Sequence, residues 1–247
     1  MRGQSEVLGF ALVFGLVLSA VALIAVFGFG ALEDTRDSEE LNNAERAFDV
    51  LADNMADIHQ DGTPSRATEI SLQNAQLEAG DTVTFNLTFV GPQESISRPL
   101  EPIVFRSGDA EVVYVAGAIL RSQREGGVMI KEPPFLIDTD RLVLPIIETQ
   151  NVGDITSTGG QTVRVRGLRR QRQFVADMVK NPSPYDEAII NITSPRSDIW
   201  QTYLEEQDGM DCRDTGLENN IRCTMDGSDA PNSVFVSRTI INWEIET

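Results

Sequence analysis

The chain has 247 residues, with 38 acidic and 20 basic side chains and a formal net charge of −18. A surface this negative argues against nucleic acid and anionic lipid headgroups as general partners. Beyond roughly the first sixty residues, enough chain remains for one substantial domain or two small ones.

The basic residues are unevenly divided, because eighteen are Arg and only Lys131 and Lys180 are Lys. In molar salt the Debye length falls to about 3 Å, which screens the repulsion among carboxylates while they keep their hydration. An acid excess with little Lys resembles the proteins of salt-loving archaea. We therefore predict a protein that works at high salt.

An uncharged stretch covers 7–32, and sixteen of its 26 residues are Leu, Ile, Val or Phe. As a helix it would be roughly 39 Å long, which exceeds the ~30 Å hydrocarbon core of a bilayer. A removable secretory signal has a shorter apolar core and a small-residue cleavage site. The stretch therefore predicts a transmembrane helix, with the lipid bilayer as a partner.

The charges on either side predict the orientation of that helix. Arg2 and the amino terminus precede it, whereas Glu33, Asp34 and Asp37 follow it. Basic flanks tend to stay in the cytoplasm. The predicted localisation is the cell membrane, single-pass, with residues 1–6 as a cytoplasmic leader or flank and the C-terminal domain extracellular.

The residues that lead into the apolar stretch are Met1-Arg2-Gly3-Gln4-Ser5-Glu6-Val7-Leu8-Gly9-Phe10. This opening resembles archaeal type IV pilin-like proteins with class III signal peptides, including a haloarchaeal pilin-like group without assigned function. The resemblance implies processing between Gly3 and Gln4, with the apolar stretch kept as anchor and filament core. It also implies a prepilin peptidase and other pilin-like subunits as partners. Leu8 stands where many type IV pilins carry Glu.

A second helical pattern follows over 33–62 and predicts an amphipathic stalk. Its apolar residues recur every three or four positions: Leu41, Ala44, Phe48, Leu51, Met55 and Ile58. The sequence Asp61-Gly62-Thr63-Pro64 ends the helix. The apolar seam packs either on the chain's own β-domain or on the same helix of other subunits. We expect His59, near the end, to be solvated or to cap the helix.

From residue 66 onward the pattern is that of β-strands. Alternating runs cover 68–77 and 82–90, and the link at 78–81 predicts a hairpin between them. Further short runs continue to residue 245, interrupted by one helix over 198–207. The predicted fold class is α+β: a long N-terminal transmembrane and stalk helix, then over 66–247 an antiparallel β-rich, pilin-like or sandwich-like extracytoplasmic domain with one short late helix.

The predicted outer domain contains both cysteines, Cys212 and Cys223. Because an extracytoplasmic position favours oxidation, we predict one disulfide between them. The triplets Asn86-Leu87-Thr88 and Asn191-Ile192-Thr193 match the acceptor pattern for N-glycosylation. Asn86 and Asn191 are therefore candidate glycosylation sites.

Five arginines fall within nine residues: Arg164, Arg166, Arg169, Arg170 and Arg172. One interpretation is a polar strand face paired with local acids. The other is a docking stripe for an acidic neighbour, either another subunit or an acidic cell-surface layer.

The sequence contains no recognisable catalytic pattern. It has one His, no nucleophile elbow and no phosphate-binding glycine loop with Lys. We predict no enzyme activity, no metal and no cofactor. Two functions fit: a membrane-anchored, surface-exposed pilin-like structural or interaction protein, such as a minor pilin or pseudopilin, or a non-assembling single-pass protein whose outer β-domain binds a cell-envelope component.

Overall fold

The computed structural model describes the backbone of residues 3–91, 94–123, 126–154, 156–179 and 186–246, and their side chains except for 3–8, 25–37, 94 and 174–179. The chain divides into two compact units, Met1–Asn42 and Asn43–Thr247. The helices are α1 (Gly3–Gln60) and α2 (Ser197–Glu205). The strands are β1 (Ser65–Ser71), β2 (Gln76–Ala79), β3 (Val83–Val90), β4 (Glu94–Leu100), β5 (Ile103–Ser107), β6 (Ala110–Val115), β7 (Ala118–Gln123), β8 (Gly126–Lys131), β9 (Leu136–Ile137), β10 (Arg141–Asn151), β11 (Thr156–Thr158), β12 (Thr162–Val179), β13 (Glu187–Thr193), β14 (Asp211–Asp214), β15 (Asn220–Asp226) and β16 (Ser233–Glu246).

The predictions of a transmembrane helix over 7–32 and of a single-pass protein in the cell membrane are wrong. Among the described residues, no helix is both long and apolar enough to cross a bilayer. The predicted fold class is wrong in the same respect, because it begins with that transmembrane helix and its stalk.

The strands form three sheets. Sheet A has the order β1-β12-β16-β10-β9, sheet B has β11-β2-β5-β6-β7-β8, and sheet C has β14-β15-β13-β3-β4. In the described ranges the neighbouring strands are antiparallel, except that β10 runs parallel to β16. A parallel pair needs a long crossover, and here the chain between β10 and β16 supplies β11 to β15 and α2.

Strand β3 shows how alternation builds the core. Its side chains alternate between buried and partly exposed along the strand, as the sequence predicts. Phe85 on the buried face meets Trp200 of α2 edge-on, with ring centroids 5.1 Å apart. Trp200 and Tyr203 are both buried, so α2 is held to the sheets by the apolar face that its sequence pattern indicates.

The predicted hairpin at 78–81 is wrong, because the two strands it would join belong to different sheets. Strand β2 pairs with β5 in sheet B, whereas β3 pairs with β13 and β4 in sheet C. Gly80 lies between them and donates its N–H to the Pro102 carbonyl at 2.9 Å. A Cβ at this position would lie 2.5 Å from Val104 Cγ2. The glycine therefore permits a close approach where the chain passes between sheets.

Residues 43–60 of α1 pack against the strands of the second unit. Phe48 is completely buried, and its ring meets that of Phe105 on β5 edge-on at 6.4 Å. Further along, Met55 and Ile58 lie so close to Gly167 of β12 that a Cβ there would be about 3 Å from both side chains. From Ala44 onward, packing of the seam on the chain's own strands is confirmed.

Ion pairs join acidic side chains of the same helical segment to basic side chains of sheet B. Lys131 Nζ of β8 lies 2.7 Å from Asp49 Oδ1 and 2.6 Å from Asp53 Oδ1. One turn earlier, Arg121 of β7 bonds Glu45 at 2.8 Å. Pairs this exposed contribute little to stability. They connect this segment of α1 to β7 and β8 of sheet B.

His59 is buried, so the expectation of a solvated or capping side chain is wrong. Only 5 % of it is exposed, and its Nδ1 lies 2.8 Å from Thr239 Oγ1 on β16. Burial is the main cause that lowers the pKa of His59 below its usual value, and the Arg172 guanidinium lowers it further. The folded protein therefore favours the neutral imidazole.

We expect the free energy of unfolding to decrease as the pH falls below about 6.5, the usual pKa of His. The folded pKa lies below the unfolded one, so the unfolded chain binds the proton first. The His59 contribution is complete above the unfolded pKa and is lost as the pH falls towards the folded pKa. Urea unfolding at pH 7.5 and 5.5 measures the difference. His59→Gln should reduce it, because the chain has no other histidine; an equal pH dependence in both proteins would refute the assignment.

Candidate functional site

The apolar side chains of α1 between residues 9 and 24 form the first candidate site, which we call the apolar helix surface. Ten large apolar side chains there are between 50 % and 73 % exposed: Phe10, Leu12, Val13, Phe14, Leu16, Val17, Leu18, Val21, Leu23 and Ile24. Several are consecutive in sequence, so they surround the helix instead of forming one stripe. Helices that are apolar all round are normally buried in a larger structure.

The few small or polar positions on this surface do not interrupt it. Ser19 donates its hydroxyl to the Gly15 carbonyl one turn earlier, at 2.8 Å, so that group is satisfied within the helix. Nothing lies within 4 Å of a Cβ built on Gly15. Phe10 and Phe14 stack with ring centroids 5.8 Å apart. Soluble monomers rarely expose a large contiguous apolar patch of this kind.

The second candidate is a cleft of about 510 Å³ between sheet B and the start of α2. Glu111 of β6 is one of the residues that line it. Arg106 of β5 bonds one oxygen of this carboxylate at 2.7 Å, and Arg196, the residue before α2, bonds the other. Ser122 of β7 donates to the same second oxygen at 3.3 Å. The network joins three strands to the N-terminus of α2.

The electrostatics of the cleft keep Glu111 ionised. Burial alone would raise the pKa of this carboxyl, but the charges and hydrogen bonds of Arg196 and then Arg106 outweigh it and hold the pKa below its usual value. Both carboxylate oxygens are occupied by donors. Such a group is a poor general base, so the cleft fits a structural or binding role better than catalysis.

We expect Glu111→Gln to lower the free energy of unfolding by about 1–3 kcal/mol, the usual cost of leaving a buried charged donor without its partner. Arg196 is only 11 % exposed and would lose its carboxylate. Because the folded pKa of Glu111 is lowered, its stabilisation is present above the unfolded pKa and is lost as the pH falls through the folded one. Urea unfolding at pH 7 and 3.5 tests both statements. Glu218→Gln removes the same charge from an exposed position and should have little effect.

The five clustered arginines do not share one face. Arg164 and Arg166 both bond Glu246 of β16, at 2.7 and 3.2 Å. Arg170 falls in a register shift between β12 and β16 and donates to Gln150 at 3.2 Å.

Arg169 and Arg172 lie instead near the end of α1. A Cβ on Gly62 would be 2.6 Å from Arg169 Nη1. The positive charge of Arg172 lowers the pKa of His59. Strand alternation and the bulge divide the cluster, while its use as a docking stripe stays a prediction.

Cys212 and Cys223 form the predicted disulfide, with an Sγ–Sγ distance of 1.99 Å. They are direct partners in the register of β14 and β15. Among the residues that the structure describes, no group of acidic, His or Cys side chains is arranged to hold a metal ion. Gly3 and Gln4 belong to a part of α1 whose side chains are not described, so processing there stays a prediction.

The sequence reasoning missed the Glu111 network. A usable signal existed, because the turn at Ser107-Gly108-Asp109 places Arg106 directly opposite Glu111 in the β5–β6 hairpin. Arg196 comes from 85 residues further along the chain, and no local pattern indicates its approach.

The structure defines a class of protein with two features: a long N-terminal helix that has an apolar surface, and a unit of three β-sheets that has a polar cleft lined by ion pairs. The chain belongs to DUF7289, a family of unknown function, whose profile matches residues 2–243. No curated protein matches the chain. No solved structure matches it.

Proposed function

We propose that this chain is a structural or interaction subunit of pilin-like type, in which the apolar helix surfaces of several copies pack together. The β-rich unit then supplies the surfaces that each copy presents to other molecules. This role requires no catalysis, and the saturated Glu111 carboxylate and the buried, hydrogen-bonded His59 agree with a non-enzymatic protein.

The exposure of ten large apolar side chains around residues 9–24 carries this proposal. Complete burial of a Val, Leu or Phe side chain is worth about 1.5–3 kcal/mol. Covering side chains that are half exposed or more therefore contributes on the order of 10 kcal/mol, comparable to the 4–15 kcal/mol that association costs. One partner helix covers only one side of an all-round apolar surface. A bundle of several helices is therefore favoured over a pair.

Sedimentation velocity of the full-length chain in molar salt tests the proposal. We expect oligomers for the unaltered protein and monomers for a variant with Leu12→Glu, Leu16→Glu and Leu23→Glu. These positions are exposed, and Glu is a good helix former, so circular dichroism should show the helix retained. Val50→Glu places a charge on an equally exposed position of the same helix outside the surface and should leave the oligomer intact. A monomeric unaltered chain, or an oligomer indifferent to the three charges, would refute the proposal.

A further inference from the structure

The two glycosylation triplets lie side by side on the outward face of sheet C. Asn86 of β3 is the direct register partner of Asn191 of β13. Both asparagines are partly exposed, whereas Phe85, Leu87 and Ile192 beside them point into the core and are buried. Two triplets that are 105 positions apart in sequence thus become nearest neighbours through strand pairing.

The two triplets differ in their hydrogen bonding. Asn220 at the start of β15 donates its Nδ2 to Asn191 Oδ1 at 2.7 Å and to Thr193 Oγ1 at 2.9 Å. One side chain therefore engages both the amide and the hydroxyl of the second triplet. Within the described residues, the Asn86 side chain makes no hydrogen bond. Thr88 Oγ1 shares only a long contact with Ser95 Oγ, at 3.4 Å.

We propose that Asn86 carries an N-linked glycan and that Asn191 is left unmodified. In the transfer, Asn86 Nδ2 forms a bond to the anomeric carbon of a glycosyl phosphate donor. The bond between that carbon and the phosphate oxygen breaks, the phosphate leaves with the electron pair, and the amide nitrogen gives up one proton. Thr88 lies two residues on, so strand alternation places its hydroxyl on the same face as the reacting amide.

Crowding makes the two sites mutually exclusive. Side chains of directly opposed residues in antiparallel strands have Cβ atoms about 4.5–5.5 Å apart. A sugar on Asn86 covers this gap and shields the neighbouring amide. The glycan would also mark the outward face of sheet C as a solvated surface, which is a conclusion independent of how the apolar helix surface is used.

Glycopeptide mass spectrometry of the protein from the cells that make it tests this inference. We expect one glycan per chain, on Asn86, and none in Asn86→Gln. The double variant Asn86→Gln with Asn220→Ala releases the second triplet and should acquire a glycan on Asn191. Glycan on Asn191 in the unaltered protein, two glycans on one chain, or none at all would each overturn the proposal.

Discussion

Replacing Phe48 by Ala should lower the free energy of unfolding by about 3–5 kcal/mol, the usual cost of removing a buried aromatic ring. The side chain is 0 % exposed and packs edge-on against Phe105. The loss would open a cavity between α1 and sheet B, where the helix segment 43–60 is held. Urea unfolding of the full-length protein, followed by tryptophan fluorescence, measures the change.

Val50→Ala is the matched control for this prediction, because it shortens an apolar side chain of the same helical segment that is 53 % exposed. We expect a change within about 0.5 kcal/mol, as for most surface substitutions. Equal effects of the two substitutions would mean that the segment does not rest on the strands as described.

Removal of the Glu148 carboxylate should destabilise the protein by a similar amount, about 3–5 kcal/mol, because it leaves a buried cation unpaired. Glu148 of β10 is 1 % exposed and takes two hydrogen bonds from Arg238 of β16, at 2.7 and 2.8 Å. Arg98 is also close: burial is the main cause that lowers its pKa, Arg238 lowers it further, and Glu148 opposes both. Without Glu148, two neighbouring guanidinium groups would face each other.

A double variant separates the missing charge from the missing side chain. Glu148→Met alone should show the full loss of stability, whereas Glu148→Met combined with Arg238→Met should recover a large part of it, since apolar pairs often replace buried ion pairs at little cost. Denaturant midpoints of the two variants and the unaltered protein give the comparison. A double variant that is less stable than the single one would contradict this account of the pair.

Local patterns in the sequence were sufficient for elements that depend only on near neighbours. The alternation of β3 predicts its buried face, and the spacing from Ala44 to Ile58 predicts the buried face of α1, because both follow from backbone periodicity. The pairing of Cys212 with Cys223 follows from there being only two cysteines. Each of these inferences needs no knowledge of which elements become neighbours.

Inferences that depend on distant partners failed. The hairpin at 78–81 was wrong because β2 and β3 find their partners in separate sheets. His59 is buried and contacts Thr239, which lies 180 positions later in the chain. The arginine cluster looked continuous, yet the bulge near Arg170 and strand alternation divide it between two faces.

The candidate site was predictable only in part. The apolar run over 7–32 is obvious in the sequence, but the transmembrane helix that it suggested is contradicted, because no helix of the described residues is long and apolar enough to cross a bilayer. The polar cleft depends on Arg196 reaching Glu111 from another element. Such contacts are set by the packing of α2, which sequence periodicity does not specify.

Cross-linking between copies tests most directly whether apolar helix surfaces meet. Leu16→Cys introduces a thiol at the middle of this surface, while Cys212 and Cys223 are already joined to each other. Under mild oxidation we predict disulfide-linked dimers of Leu16→Cys and far fewer of Val50→Cys, which exposes its thiol elsewhere on α1. Equal yields from the two variants, or no dimer from Leu16→Cys, would contradict the proposed association.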